Sequence, residues 1–392
     1  MKIPSTAACL WLILTQFVPA AATPIADTIH IQKSVFETIT GMPKKTDFLH
    51  VNLNTRFGFH GTLEGSGQEK AAFKADFLRL QITGDITDRI YYKWFQHINR
   101  SNTPNSLDNM PSSIDCLGIG FHITPALSAF IGKQYADYGG FEYDANPAEV
   151  YEFSDYGNYM TCFLVGADLI WQVTPTQELR FQIIDGRSNT AEETYSLLPP
   201  GYEPAKVPLG YSFNWNGNLF DGRLLTRWSF SFFHEGKKDN IYLLGLGTAW
   251  RQDKFSVYAD VFYSAEDIDK LGILSEISTL TPQGYQATDC SYLSVISRVD
   301  YRPLSKWNFF LKGFYETSSL RKDNPDMEEG KYRTTYGYQG GVEYFPMKEN
   351  LRFFLVYHGR QVDFTRRARL FTPACPQTQT LSLGIVYNIP IF

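Results

Sequence analysis

Beyond its first two dozen residues the sequence has no apolar run near the roughly 20 residues a membrane-spanning helix needs, which excludes a helical membrane protein. Cysteine is scarce: five in 392 residues, with Cys116, Cys162, Cys290 and Cys375 outside the N-terminal segment. They lack CxxC spacing, and the seven histidines form no HExxH or HxxxH, so neither a metal site nor a cofactor is expected. Four cysteines allow three pairings. A Cys290–Cys375 bridge between outer loops is one expectation, and free thiols are the other. A positive surplus is also missing. The net charge of −5 argues against a nucleic-acid partner. No Gly-X-Y period exists, which excludes collagen. No GxSxG occurs, and His97, His234 and His358 have no assignable catalytic partners, which argues against an enzyme.

What is present begins with an address label. Met1-Lys2 gives a positive start, Ala7–Val18 an apolar core, and Ala20-Ala21-Ala22 a small-residue cleavage site. This pattern predicts a signal peptide over 1–22, cut after Ala22, and a mature chain acting outside the cytoplasm. Residues 23–47 are expected to form a periplasmic segment, too short for a globular plug, that forms a small helix or covers the periplasmic mouth.

Aromatics are abundant: 30 Phe, 24 Tyr and 7 Trp. Their period is two. In Phe48–Phe59, Leu49, Val51, Leu53, Phe57 and Phe59 share one face, while His50, Asn52, Asn54, Arg56 and Gly58 share the other. Sixteen such segments are expected, at 48–59, 71–84, 88–100, 115–123, 127–133, 160–172, 178–187, 209–217, 222–234, 240–251, 253–264, 292–302, 306–318, 332–345, 349–360 and 378–391. Many run to 10–14 residues, and a tilted bilayer-crossing strand needs about 9–11. Long connections alternate with tight turns, except at 235–239, which is short where a long loop is due. Short periplasmic turns and long outer loops distinguish outer-membrane barrels, whereas a soluble sandwich has no reason for the asymmetry. Residues 48–392 therefore predict an all-β fold, a transmembrane antiparallel β-barrel of about 16 strands, or 18 if 188–208 or 361–377 hides a pair. Its apolar face would meet outer-membrane lipid and its polar face an aqueous lumen. Parity breaks once, at Phe77-Leu78, which reads as a bulge. Residues 265–280 suggest a short helix in an outer loop.

Parity also sorts the charges. The polar faces carry Arg56, Lys74, Arg79, Arg89, Lys93, Arg180, Arg223, Arg227, Arg251, Lys254, Arg298, Arg302, Lys312, Arg333, Arg352 and Arg360. Against these stand Asp76, Asp168, Asp260, Asp300, Glu316 and Glu343, an excess of about ten positive charges. Loop 134–159, the third long connection, bears Asp137, Glu142, Asp144, Glu149, Glu152 and Asp155 and no Lys or Arg. It is expected to fold into the lumen and narrow it, attracted by the wall and carrying Tyr and Phe poorly placed in bulk water. A barrel this wide leaves an aqueous channel, so passive diffusion of small hydrophilic or anionic solutes is expected, with modest, salt-sensitive selectivity. A surface adhesin and a barrel hydrolase are the other classes compatible with a barrel.

The strand–turn–strand pair Phe73–Arg100 (FKADFLRLQITGDITDRIYYKWFQHINR), with Leu127–Gly140 (LSAFIGKQYADYGG), resembles the phosphate-selective porin O and P family of Gram-negative outer membranes. The resemblance implies a 16-stranded porin, usually a homotrimer, whose third outer loop constricts the pore. Members of the family line that pore with a basic ladder that extends onto the constriction loop. Here the loop is purely acidic, so porin function is carried over and phosphate selectivity is not. The chain ends in Phe392, as many such barrels do, although the apolar stripe closes at Ile391, one residue out of the usual phase.

Overall fold

The protein is described by a computed structural model that covers residues 34–42 and 47–392, apart from 66, 68, 196, 348, 349 and 373. The expected signal peptide lies outside the described residues.

Sixteen antiparallel strands close on themselves in sequence order. They are β1 (His50–Glu64), β2 (Glu69–Thr87), β3 (Ile90–His97), β4 (Ile114–Thr124), β5 (Leu127–Tyr135), β6 (Phe163–Thr174), β7 (Gln177–Asp185) and β8 (Leu209–Leu219). The second half holds β9 (Leu224–His234), β10 (Asn240–Gln252), β11 (Phe255–Ile268), β12 (Thr288–Leu304), β13 (Trp307–Leu320), β14 (Gly330–Tyr344), β15 (Leu351–Phe364) and β16 (Gln377–Pro390). Closure is made by β1 on β16, from Asn52 opposite Pro390 to Glu64 opposite Thr378. It leaves no free edge, the condition for placing a sheet in lipid, where unpaired backbone groups find no water. The alternative of 18 strands is thus overturned: among the described residues, 188–208 adds the helix Ala191–Tyr195 and no strand, and between the end of β15 at Phe364 and the start of β16 at Gln377 lies a single helical turn, Ala368–Leu370.

Every second side chain faces outward, and these are largely apolar and exposed: Phe57, Phe59, Leu117, Ile131, Phe230, Phe309, Leu311, Leu355 and Leu383 among them. Aromatic pairs bracket this belt. Trp215–Trp228 and Trp307–Tyr344 lie near the short turns, with ring centres 5.1 and 4.7 Å apart. Tyr211–Phe232 and Phe232–Tyr242 lie toward the long loops. Such girdles suit the two membrane interfaces.

Three expectations need correction. The bulge sits at Asp76, skipped between the pairs Arg56–Phe77 and Phe57–Ala75, one residue before the expected place. It turns both Asp76 and Phe77 inward, and that doubling is what disturbed the parity. The expected strands 222–234 and 253–264 begin two residues later, because Arg223 and Lys254 belong to the turns, as does Arg89. Finally, of the two cysteine expectations the free thiols hold and the Cys290–Cys375 bridge does not: Cys116, Cys162, Cys290 and Cys375 are unbridged, and Cys290 is buried on β12 rather than placed in a loop. In 265–280 the helix is a single turn, Ser275–Ser278, because β11 continues to Ile268.

The first described helix meets the C-terminal residues. Helix α1 (Val35–Thr40) is closed by a capping box, Ser34 and Glu37 each bonding the other's backbone N–H, and by left-handed Gly41. The Phe36 N–H donates to Ile391 O at 3.0 Å, and its ring meets Phe392 edge-on at 5.0 Å.

The short connection 235–239 is a lock. Glu235 is fully buried, paired with Arg187 at 3.0 Å and with Lys270, and so ties together the loops after β7, β9 and β11. Burial alone would raise its pKa, but Lys270 and then Arg187 hold it below the ordinary value. A depressed carboxylate stabilises above its unfolded pKa of about 4.3 and loses that contribution as pH falls. Glu235→Gln should leave two buried cations unmatched, cost about 3–5 kcal/mol locally, and open these loops to protease at neutral pH. On the belt, Leu311→Arg should destabilise the barrel by about 2–4 kcal/mol in vesicle unfolding. An unchanged midpoint would mean that this face does not touch lipid.

Candidate pore and its inner loop

Residues 136–162, between β5 and β6, cross the lumen rather than standing above it. The loop leaves β5 through Asp137, which takes Arg180 at 3.2 Å, while Ser212 and Asn214 donate to its carbonyl at 2.8 and 2.9 Å. Gly139 and Gly140 follow at positive φ, 73° and 81°. A Cβ on Gly139 would lie 2.7 Å from the Arg227 carbonyl, and one on Gly140 would lie 2.3 Å from the Phe262 ring. The β10 wall is equally bare here, since a Cβ on Gly245 would sit 2.0 Å from the Tyr138 carbonyl. Glycine on both sides lets backbone press against wall.

Two wall carboxylates then cap two short helices of the loop. Asp260 accepts from the N–H groups of Phe141 and Glu142 at 2.8–2.9 Å, where α2 (Phe141–Asp144) starts. Glu316 accepts from Asp155 and Tyr156 at 2.7 and 3.2 Å, where α3 (Asp155–Tyr159) starts. The geometry is that of helix capping, with the cap supplied across the lumen.

Each of the six acidic residues of the loop meets a wall cation. Asp137 pairs with Arg180, Glu142 with Lys312, and Asp144 with Arg227 at 3.1 Å. Glu149 lies 3.5 Å from Arg352, Glu152 3.0 Å from Arg360, and Asp155 3.0 Å from Arg333 as well as against Arg360. Burial pushes the Glu152 carboxyl above its ordinary pKa, with Arg360 opposing. Between these pairs the turn Pro147–Glu149 lies on β1 and β2. There the Arg56 guanidinium donates to the carbonyls of Ala148 and Val150 at 3.3 and 2.6 Å, and Arg79 reaches Asn146 at 3.4 Å.

Other expected pore cations are placed differently. Arg298 pairs with Asp300 on its own strand at 2.8 Å, and Lys93 lies against the rings of Tyr91 and Phe130. Arg302 lies over Phe345. Arg223 and Lys254, in the turns, do not line the lumen wall. Lys74 and Arg251 line cavities and form no ion pair among the described residues.

The inner face is also less polar than alternation implied. Tyr138, Tyr143 and Tyr156 of the loop pack with wall residues Phe233 and Phe262 in a fully buried core, and Tyr156 stacks on Phe262 with centres 4.3 Å apart. Tyr151 lies between Phe310 and Phe354 and donates to Glu343 at 2.6 Å. A signal was present: the doublets Phe232-Phe233, Phe309-Phe310 and Phe353-Phe354 put one ring on each face, and in each the second ring is buried inside.

Two cavities among the described residues lie along the lumen. One of about 530 Å³ opens toward the short turns, with Arg251, Arg298, Lys312 and Arg352 facing Asp144, Glu149 and Asp300 among amide side chains. One of about 210 Å³ lies toward the long loops beside β1, β2, β15 and β16, with Arg56, Lys74, Asp76, His60 and His358. Tyr151 lines the second and its neighbour Val150 the first, so this piece of loop and Arg56 stand between them.

Solved structures share this architecture. The outer membrane channel DcaP of Acinetobacter baumannii is 14% identical, with a TM-score of 0.58 over 88% of this chain and 99% of its own. An anion-selective porin from Comamonas acidovorans is 7% identical, with a TM-score of 0.57 over 87% and 99%. OmpT of Vibrio cholerae is 9% identical, with a TM-score of 0.56 over 88% and 99%. At such identities the likeness is one of fold. No curated protein matches the sequence. The family model for phosphate-selective porin O and P matches residues 51–389, nearly the whole barrel. The chain belongs to that family, and is a non-enzymatic porin channel.

Proposed function

We propose that this porin passes small hydrophilic solutes by diffusion, with loop 134–159 as its constriction and a mild preference for anions. The observation that carries the reading is the pairing within the lumen. The ten-charge excess expected of the wall is largely cancelled where loop carboxylates meet Arg180, Arg227, Lys312, Arg333, Arg352 and Arg360. What is left is small and positive. The inner cavity sets four cations against three carboxylates, and the outer sets Arg56 and Lys74 against Asp76. Each holds one cation without an ion pair among the described residues, Arg251 and Lys74. A single positive charge per compartment favours anions without excluding cations, over a Debye length of about 8 Å at physiological salt. The family name speaks of phosphate, and a purely acidic loop argues for a broader anion range here. Export through the signal peptide and assembly as a homotrimer complete the proposal. An OmpT form from Vibrio cholerae, 9% identical, is described as a trimer.

In a planar bilayer with a KCl gradient, the reversal potential should have the anion sign and shrink toward zero as salt approaches about 1 M, where the Debye length is about 3 Å. Replacing both Lys74 and Arg251 by Gln should abolish or invert it. Cation preference in the unaltered protein would refute the assignment. Deleting 141–155 should raise single-channel conductance, and an unchanged conductance would place the loop outside the conducting path.

A further inference from the structure

We propose that the inner cavity selects solutes carrying one carboxylate on a hydroxylated body, sugar acids being the simplest such class. The inference rests on the porin reading above and names the solute that this channel favours. At about 530 Å³ the cavity accommodates a hexose-sized molecule.

Its charges point to a monoanion. Three of the four lining cations already have carboxylate partners: Arg298 has Asp300, Lys312 has Glu142, and Arg352 has Glu149 and Glu343, both at 3.5 Å as ion pairs without a hydrogen bond from its Nε or Nη2. Arg251 alone has no hydrogen bond or ion pair from its guanidinium among the described residues, and a guanidinium fork matches a carboxylate. A second negative charge on the solute would meet Asp144, Glu149 and Asp300, which line the same space. A neutral solute would leave Arg251 unmatched.

The rest of the lining points to hydroxyls. Asn54 on β1 and Asn388 on β16 stand directly opposite in the closing register. Asn54 is 2% exposed and its Nδ2 has no hydrogen-bond partner among the described residues, nor has the Oδ1 of Asn388. An unused donor thus faces an unused acceptor. One hydroxyl, which both donates and accepts, satisfies the two together. Asn52, Asn350 and Gln81 extend this amide surface. A compact phosphate has no hydroxylated body to span from Arg251 to the asparagine pair.

The test is block of open-channel current in planar bilayers by gluconate, glucose, citrate and inorganic phosphate, using the full mature chain. Gluconate should half-block at a concentration about tenfold below that of glucose, the effect of one charge-assisted contact. Citrate and phosphate should block more weakly than gluconate. Arg251→Gln should bring gluconate to the level of glucose, and Asn388→Ala should weaken block by both. Equal block by gluconate and glucose, or tighter block by citrate or phosphate, would overturn the inference while leaving the porin reading intact. A bilayer that never conducts would overturn both.

Discussion

An acidic loop enclosed by a basic wall is the constraint on which the interior depends. Taking carboxylates and guanidinium groups out of water is costly, and neither set would be tolerable inside the barrel without the other. Pairing removes most of that cost and, because each loop carboxylate meets its own wall cation, fixes where each part of the loop sits. Holding the loop down is the task of other groups. Tyr138, Tyr143 and Tyr156 bury their rings against Phe233 and Phe262, and apolar burial is the larger favourable term. Ion pairs set position, rings supply adhesion, and Asp260 and Glu316 satisfy the helix starts that would otherwise be orphaned.

The same barrel has to satisfy two solvents. Outside, the strands present rings and aliphatics to acyl chains. Inside, they present charge at the level of the cavities and rings where the loop docks. A strand touching both lipid and loop is aromatic on both faces, and period-two alternation vanishes there. The Phe-Phe doublets of β9, β13 and β15 are the local record of that double demand.

This explains what could be read in advance. Strand number, topology and the outward belt were legible because period two, repeated sixteen times with alternating loop lengths, is a redundant signal. Strand ends were not. Arg223 and Lys254 continue the alternation into turns, where it has no structural meaning. The charge balance of the lumen was beyond a tally, since wall and loop lie up to 205 residues apart, as for Asp155 and Arg360, and only three-dimensional closure shows which carboxylate meets which cation. Arg251 and Arg227 look alike in sequence; one lines a cavity without an ion pair and the other is matched to Asp144. The asparagine pair at the β1–β16 seam is likewise invisible, since its members come from opposite ends of the chain.

A lumen near neutrality responds to individual side chains in a way that a strongly charged one does not. Where many fixed charges of one sign line a pore, losing one changes the field by a small fraction. Here almost every charge is matched, so the residual field comes from Lys74 and Arg251 and is easily reversed. Removing a paired cation acts in the same sense as removing an unpaired one, because it releases its carboxylate: without Arg227, Asp144 would face the inner cavity unopposed. On the proposed reading, selectivity in this barrel is a property of the pairing pattern rather than of the number of basic residues.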